Sequence, residues 1–270
     1  MFTSFTKRLF LLIFFLLCFR ASFAMINKVD SLDLQEEQKS RASQIDSLKQ
    51  ELNSIVDDSL KAPIYTQIAS GYSKYDTIGN KKQRHNYQNL AISNTLSAIH
   101  YYSKYNDTTG LRVSFDMLAM VYHDQHKYTQ AKWFILQSNT LSRAKNDNPN
   151  IIASLIELSS IKSDIKDYNL AIRDLNEALA ISSKNHYPKQ ESQVQLHYAM
   201  LYNVMKNYTK ATIALKRHNA IDDSIKKDEE ARMMAKVNMK DSLQLMKKKL
   251  YTISNKRSYK INSSKRIASL

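Results

Sequence analysis

The chain has 270 residues, of which 3 are Gly and 3 are Pro, where average usage would give about 30 of the two together. Strands joined by tight turns draw on those residues, which argues against a sandwich, barrel or meander, and no clustered glycines are present to cradle a phosphate. At 43% hydrophobic and 24% charged, with Lys+Arg 40 against Asp+Glu 25, the sequence can bury a core and predicts a helical protein whose +15 charge favours anionic partners if it is clustered.

Residues 1–24 read as an export signal. Lys7 and Arg8 precede the apolar run Leu9 to Phe19, and Ser22-Phe23-Ala24 places small residues where a signal peptidase cuts. Eleven apolar residues are too few to span about 30 Å of hydrocarbon. Cleavage near Ala24 predicts an exported chain, periplasmic or secreted, without Cys18. Arg20 leaves a retained short anchor as the alternative. The sole cysteine excludes an internal disulfide and a thiolate metal cage.

Residues 25–62 predict an amphipathic helix that packs on a repeat domain, residues 63–225. Tyr128-x-x-Ala131, Tyr168-x-x-Ala171 and Tyr208-x-x-Ala211 lie 40 residues apart, and Ala91 sits 40 before the first. Upstream of each lies a small residue in an apolar stretch: Ala119, Ser159, Ala199. Gly110, Pro149 and Pro188 recur at the joints and predict a helix breaker before each new unit. The reading is a helix–turn–helix unit in which small residues allow close approach and the tyrosines wedge into the junction. One hairpin cannot bury both faces, so about four of them stack into a solenoid.

This pattern resembles the tetratricopeptide repeat (TPR), with its period lengthened to 40 residues, from about Ile64 to Ile225. The resemblance implies an all-α, right-handed superhelical solenoid of TPR-like helix–turn–helix repeats. Two positions depart from the motif: Lys162 stands where a tyrosine is expected, and Gln195 replaces a large apolar residue. The first unit, with Ile68, Ala69 and Tyr72, has a longer connection before Ala91.

The flanks are similar to the extracytoplasmic sensor regions of certain bacterial histidine kinases and helix-turn-helix regulators. The residues concerned are the amphipathic start from Ile45 to Ala69 and the Asp223-Ser224-Ile225 to Glu229-Glu230-Ala231-Arg232 stretch. In that group the last helix runs on into a membrane span and an output domain. Here the sequence after Leu250 is polar and basic, so no kinase activity is implied, and a truncated sensor remnant is one alternative reading.

Residues 226–270 predict a basic C-terminal helix and a disordered tail, with 13 Lys+Arg against 4 Asp+Glu. A solvated capping helix and adhesion to an anionic surface are the two readings of that charge. The aromatic interleaving of a single-strand binder is limited to Tyr251 and Tyr259, so nucleic acid is not expected as a partner.

TPR resemblance places partners on the first helix of each pair. The groove-facing positions carried over are Val113, Asp116, Met120 and His123, then Ala153, Ile156, Ser160 and Ser163, then Gln193, Leu196, Met200 and Asn203. They are mixed apolar and polar, without the Lys/Asn/Arg set that clamps a peptide carboxylate, and suit a protein or peptide held by apolar anchors. Self-occupation of the groove by a flanking helix is the alternative.

His123 and His126 are three apart with Asp124 adjacent, but zinc would want further ligands, and none lies at useful spacing. His85, His100, His186, His197 and His218 are scattered, with no serine and carboxylate at triad spacing. No cofactor, metal or catalytic residue is expected. The sequence predicts a non-catalytic protein–protein interaction scaffold of the cell envelope, with a role in sensing or assembly.

Overall fold

The structure, a computed structural model, describes residues 38–74 and 80–267. The expected export signal lies outside them. All regular structure among the described residues is helical. Helix α1 covers residues 38–54, and a 3₁₀ turn, Asp58–Leu60, leads into α2 (Lys61–Ser73). Then come α3 (Lys81–Lys104), α4 (Thr108–Asp124), α5 (Tyr128–Ala144), α6 (Asn148–Asp164), α7 (Tyr168–Lys184), α8 (Pro188–Val204) and α9 (Tyr208–Ile267).

Every turn from α3 to α9 has the same backbone. Asn106, His126, Asn146, Lys166, His186 and Lys206 are left-handed, with φ from 53° to 64°, and they recur every 20 residues. Each donates its N–H to the carbonyl three residues back, and the next residue donates to the carbonyl five back at 2.8 to 3.0 Å. That pair of bonds satisfies the last carbonyls of a helix, and glycine is its usual occupant. This chain builds all six turns without one. On the far side Asp107 accepts from the Thr109 and Gly110 N–H groups, and Asp147, Asp167 and Asn207 accept likewise from Asn150, Leu170 and Lys210.

Gly110, Pro149 and Pro188, expected as breakers, instead sit in the first turns of α4, α6 and α8. Proline is tolerated there because the first N–H groups have no intrahelical acceptor. Gly110 has a different use. A Cβ built on it would lie 2.3 Å from the Tyr102 ring, so its missing side chain is what lets α3 pack on α4.

The chain divides into two compact units at the start of α6, residues 1–150 and 151–270. In the first unit Ile45 of α1 joins Ile64, Ile68 and Tyr72 of α2, Ala91 of α3 and Val121 of α4 in one buried cluster. Helix α4 pairs with α5, closed by Leu118, Ala119, Ala131 and Ile135. In the second unit α7 packs on α8, and α8 on α9, around Leu175, Ala178, Val194 and Leu201.

The alanine register holds with one exception. Ala91, Ala131 and Ala171 are fully buried, and so are or nearly are Ala119, Ser159 and Ala199. Ala211 is half-buried, and Tyr208 is exposed where Tyr128 and Tyr168 are half-buried. Leu215 is 43% exposed although its counterparts Ile135 and Leu175 are buried. The cause is that α9 packs chiefly on α8, which leaves its other side uncovered.

Helix α9 also runs unbroken through the expected boundary at residue 226 and continues to Ile267, where composition predicts a disordered tail. Neither Gly nor Pro interrupts it. Among the described residues no helix is long and apolar enough to cross a membrane.

Candidate functional site

Positions 113, 116, 120 and 123 lie on one side of α4, because steps of three and four residues return to the same helix face. Val113 and Met120 are exposed there. Asp116 is held by Arg112 at 2.6 Å, and the half-buried His123 ring lies 5.8 Å from the Tyr128 ring. This face presents two apolar side chains beside a neutralised carboxylate.

In the second unit the expected positions behave differently. Met200 is exposed on α8, with Gln193 and Asn203 exposed beside it and Leu196 half-buried. On α6, Ser160 and Ser163 are half-buried, and Ala153 is exposed. Ile156 is buried at 7% exposure, so it is a core residue and not an exposed anchor. The reason is that α6 is apolar almost all round (Ile151, Ile152, Leu155, Leu158, Ile161) and buries accordingly.

Other exposed apolar side chains carry no mark in the repeat pattern. Trp133, the chain's one tryptophan, is 53% exposed on α5. It stands edge-on to Phe134 at 4.7 Å and to Phe115 at 6.4 Å. Phe115 lies well round α4 from Met120, so this aromatic edge is separate from the groove positions. Its signal in the sequence is a lone tryptophan next to the small-residue helix contact. A cleft of about 530 Å³ between the start of α8 and α9 is lined by Pro188, Glu191, Arg217, Ile221, Ile225 and Asp228 among others.

The histidines are scattered in sequence, but the fold brings one of them to a serine and a carboxylate. Ser192 Oγ donates to Asp222 and lies 2.7 Å from His218 Nδ1, which also faces the Ser192 carbonyl at 3.1 Å. His218 Nε2 is 3.8 Å from Asp222. A nucleophilic serine gives its proton to the imidazole, with the carboxylate behind the ring. Here the hydroxyl proton goes to the carboxylate directly, and Ser192 is 2% exposed. The cluster therefore clamps α8 to α9 and offers no hydroxyl to a substrate.

His126 Nδ1 meets the Tyr128 hydroxyl at 3.0 Å within its turn. Among the described residues no three His, Cys, Asp or Glu side chains converge as metal ligands. Burial pushes the Tyr198 hydroxyl up to about 12, with Tyr202 adding to the shift, and the neutral phenol donates to Asn176. Burial also lowers the His197 imidazole, against the opposing pull of Glu157.

No protein-family model matches the sequence, and no curated protein is significantly similar to it. Solved structures are similar in fold. BtubC (BKLC) from P. vanneervenii superposes with a TM-score of 0.58 at 15% identity, over 72% of this chain and 78% of that one. A STAND protein with a tetratricopeptide repeat sensor from Pyrococcus horikoshii gives 0.58 at 18%, over 71% of this chain and 28% of that one. The TPR-like repeats of a Podosopora anserina kinesin light chain give 0.56 at 15%, over 72% and 92%. At these identities the likeness defines the fold. It is the all-α class of TPR-like helical repeats to which these solenoids belong.

Proposed function

We propose that the protein is a non-catalytic interaction scaffold that holds a protein or peptide partner on the first helices of its repeats. The observation that carries this reading is the exposure of Val113 and Met120 on α4 and of Met200 on α8, at positions the repeat offers to a ligand. Apolar side chains left in water on otherwise well-buried hairpins favour contact with a partner. The TPR-like fold supports the same reading, because its stacked hairpins present extended surfaces for other chains. In this reading the protein carries out no covalent chemistry and binds no nucleic acid.

We further propose an exported, envelope location and a role in sensing. Support for export is the Lys7-Arg8, apolar run and Ser22-Phe23-Ala24 order of the first 24 residues. Support for sensing is the likeness to a protein whose repeats are described as a sensor. Cell fractionation with N-terminal sequencing tests the first point, and recovery of an uncut chain in the cytoplasm overturns it.

The scaffold reading is tested by capture from envelope extract with the wild-type chain and with Met120→Glu and Met200→Glu. Both sites are exposed, so the hairpins keep their cores. Loss of captured proteins is expected in each variant. An identical captured set from all three chains would overturn the placement of the binding face.

A further inference from the structure

Helix α9 changes sign along its length. Near the hairpin it carries Asp222, Asp223, Asp228, Glu229 and Glu230, and Glu229 is tied back to Lys189 of α8 at 2.7 Å. From Lys236 to Leu270 there are 10 Lys and Arg and a single acid, Asp241.

Four apolar residues of the basic stretch share one side of the helix, while Val237, Leu245 and Tyr251 lie off it. Met239, Leu243, Met246 and Leu250 follow a four-three-four spacing, which keeps them on one side of a helix. They are 66%, 48%, 65% and 66% exposed. At 100° per residue, Lys236, Lys240, Lys247 and Lys249 fall within about a quarter turn of that seam, and Asp241 falls on the opposite side together with Lys248. A seam of long, flexible apolar side chains flanked by four lysines, with the stretch's one acid turned away, suits a helix that lies in a lipid interface.

The charge also selects among occupants. A second copy of the same basic seam would meet like charge along its whole length. Duplex nucleic acid would satisfy the lysines and leave the Met and Leu side chains in water. An anionic bilayer accepts both: headgroup phosphates take the lysines, and the acyl boundary takes the seam.

We propose that α9 from Lys236 onward is a peripheral anchor that lies flat on an anionic lipid surface. The helix from Lys236 to Ile267 has the length of a rod of about 48 Å, and the acidic residues before it keep the hairpin end off the headgroups. This is a second surface, independent of the partner-binding face on the first helices.

The experiment is co-sedimentation of the full chain with phosphatidylcholine vesicles, with and without phosphatidylglycerol, at low and high salt. Binding is expected only with phosphatidylglycerol and is expected to fall at high salt. Leu243→Glu with Met246→Glu, and separately Lys236→Glu with Lys240→Glu and Lys247→Glu, should each reduce bound protein by about tenfold or more. All five positions are exposed, so the fold is kept. A fluorophore on Leu250→Cys, introduced with Cys18→Ser, should shift to an apolar spectrum on anionic vesicles alone. Equal retention on neutral vesicles, retention unchanged in either charge-bearing variant, or displacement of the vesicles by duplex DNA would each overturn the proposal.

Discussion

The Lys162 ammonium of α6 meets the Asp174 carboxylate of α7 inside the hairpin, with side chains 10% and 6% exposed. Forty residues earlier the same two positions hold Tyr122 and Phe134, stacked at 5.5 Å and 2°. One repeat thus closes its hairpin with rings and the next with charge. Lys162, which departs from the motif, is paired with Asp174 instead of stacking on a ring. Removing one partner leaves a buried charge, so Lys162→Ala or Asp174→Ala should each cost about 3–5 kcal/mol in denaturant titrations. The double exchange Lys162→Tyr with Asp174→Phe should cost less than either, because it restores the neighbouring repeat's solution.

The left-handed turn residues give a second prediction. A non-glycine side chain there is crowded by its own carbonyl, and lysine has no local hydrogen bond to offset that. Lys166→Gly and Lys206→Gly should each stabilise by about 0.5–1 kcal/mol, measured as a rise in denaturation midpoint. Asn106→Gly should gain less, since asparagine tolerates the conformation. His126→Gly should gain least, because it also loses the contact with the Tyr128 hydroxyl.

Gly110→Ala should destabilise by about 1–3 kcal/mol through the close approach of its Cβ to Tyr102. The Tyr102 hydroxyl is itself held by Thr66 at 3.2 Å, so the ring cannot swing away freely. In a Tyr102→Ala background the same glycine substitution should cost markedly less, which separates the steric cause from any effect on the helix start.

His197 makes stability depend on pH. Its imidazole titrates below the ordinary 6.5 in the fold because burial disfavours the charged form. The unfolded chain therefore binds the proton more readily. The stability this imposes is fully present above about 6.5 and is lost as pH falls from there towards the folded value. Comparison of wild type with His197→Gln between pH 7 and pH 5 should show a shallower decline in the variant.

The 40-residue repeat is legible in the sequence because its markers are side chains at helix contacts, where Ala119, Ser159 and Ala131 leave no room for anything larger. The 20-residue turn spacing is hidden there, since Asn, His and Lys share no side-chain chemistry and the regularity lies in the backbone. Ile156 is misplaced by the repeat register because a position carried over in that way ignores how apolar the rest of α6 is. The Ser192, His218 and Asp222 clamp escapes a reading by spacing because Ser192 stands 26 and 30 residues before the other two. Repeat register could have found it: forty residues back from Ser192 and His218 stand Ile152 and Ala178, both fully buried. A polar pair at two positions that should be greasy has to be mutually satisfied.

The equal pitch of the six turns has a consequence for how such a chain can change size. Splicing from Lys166 directly to Lys206, or duplicating the stretch between them, rejoins helices through a junction with the same pair of bonds. Length is thus free to vary in whole increments of forty without a new loop being invented. An insertion of any other size would have to solve a fresh closure problem at its seam.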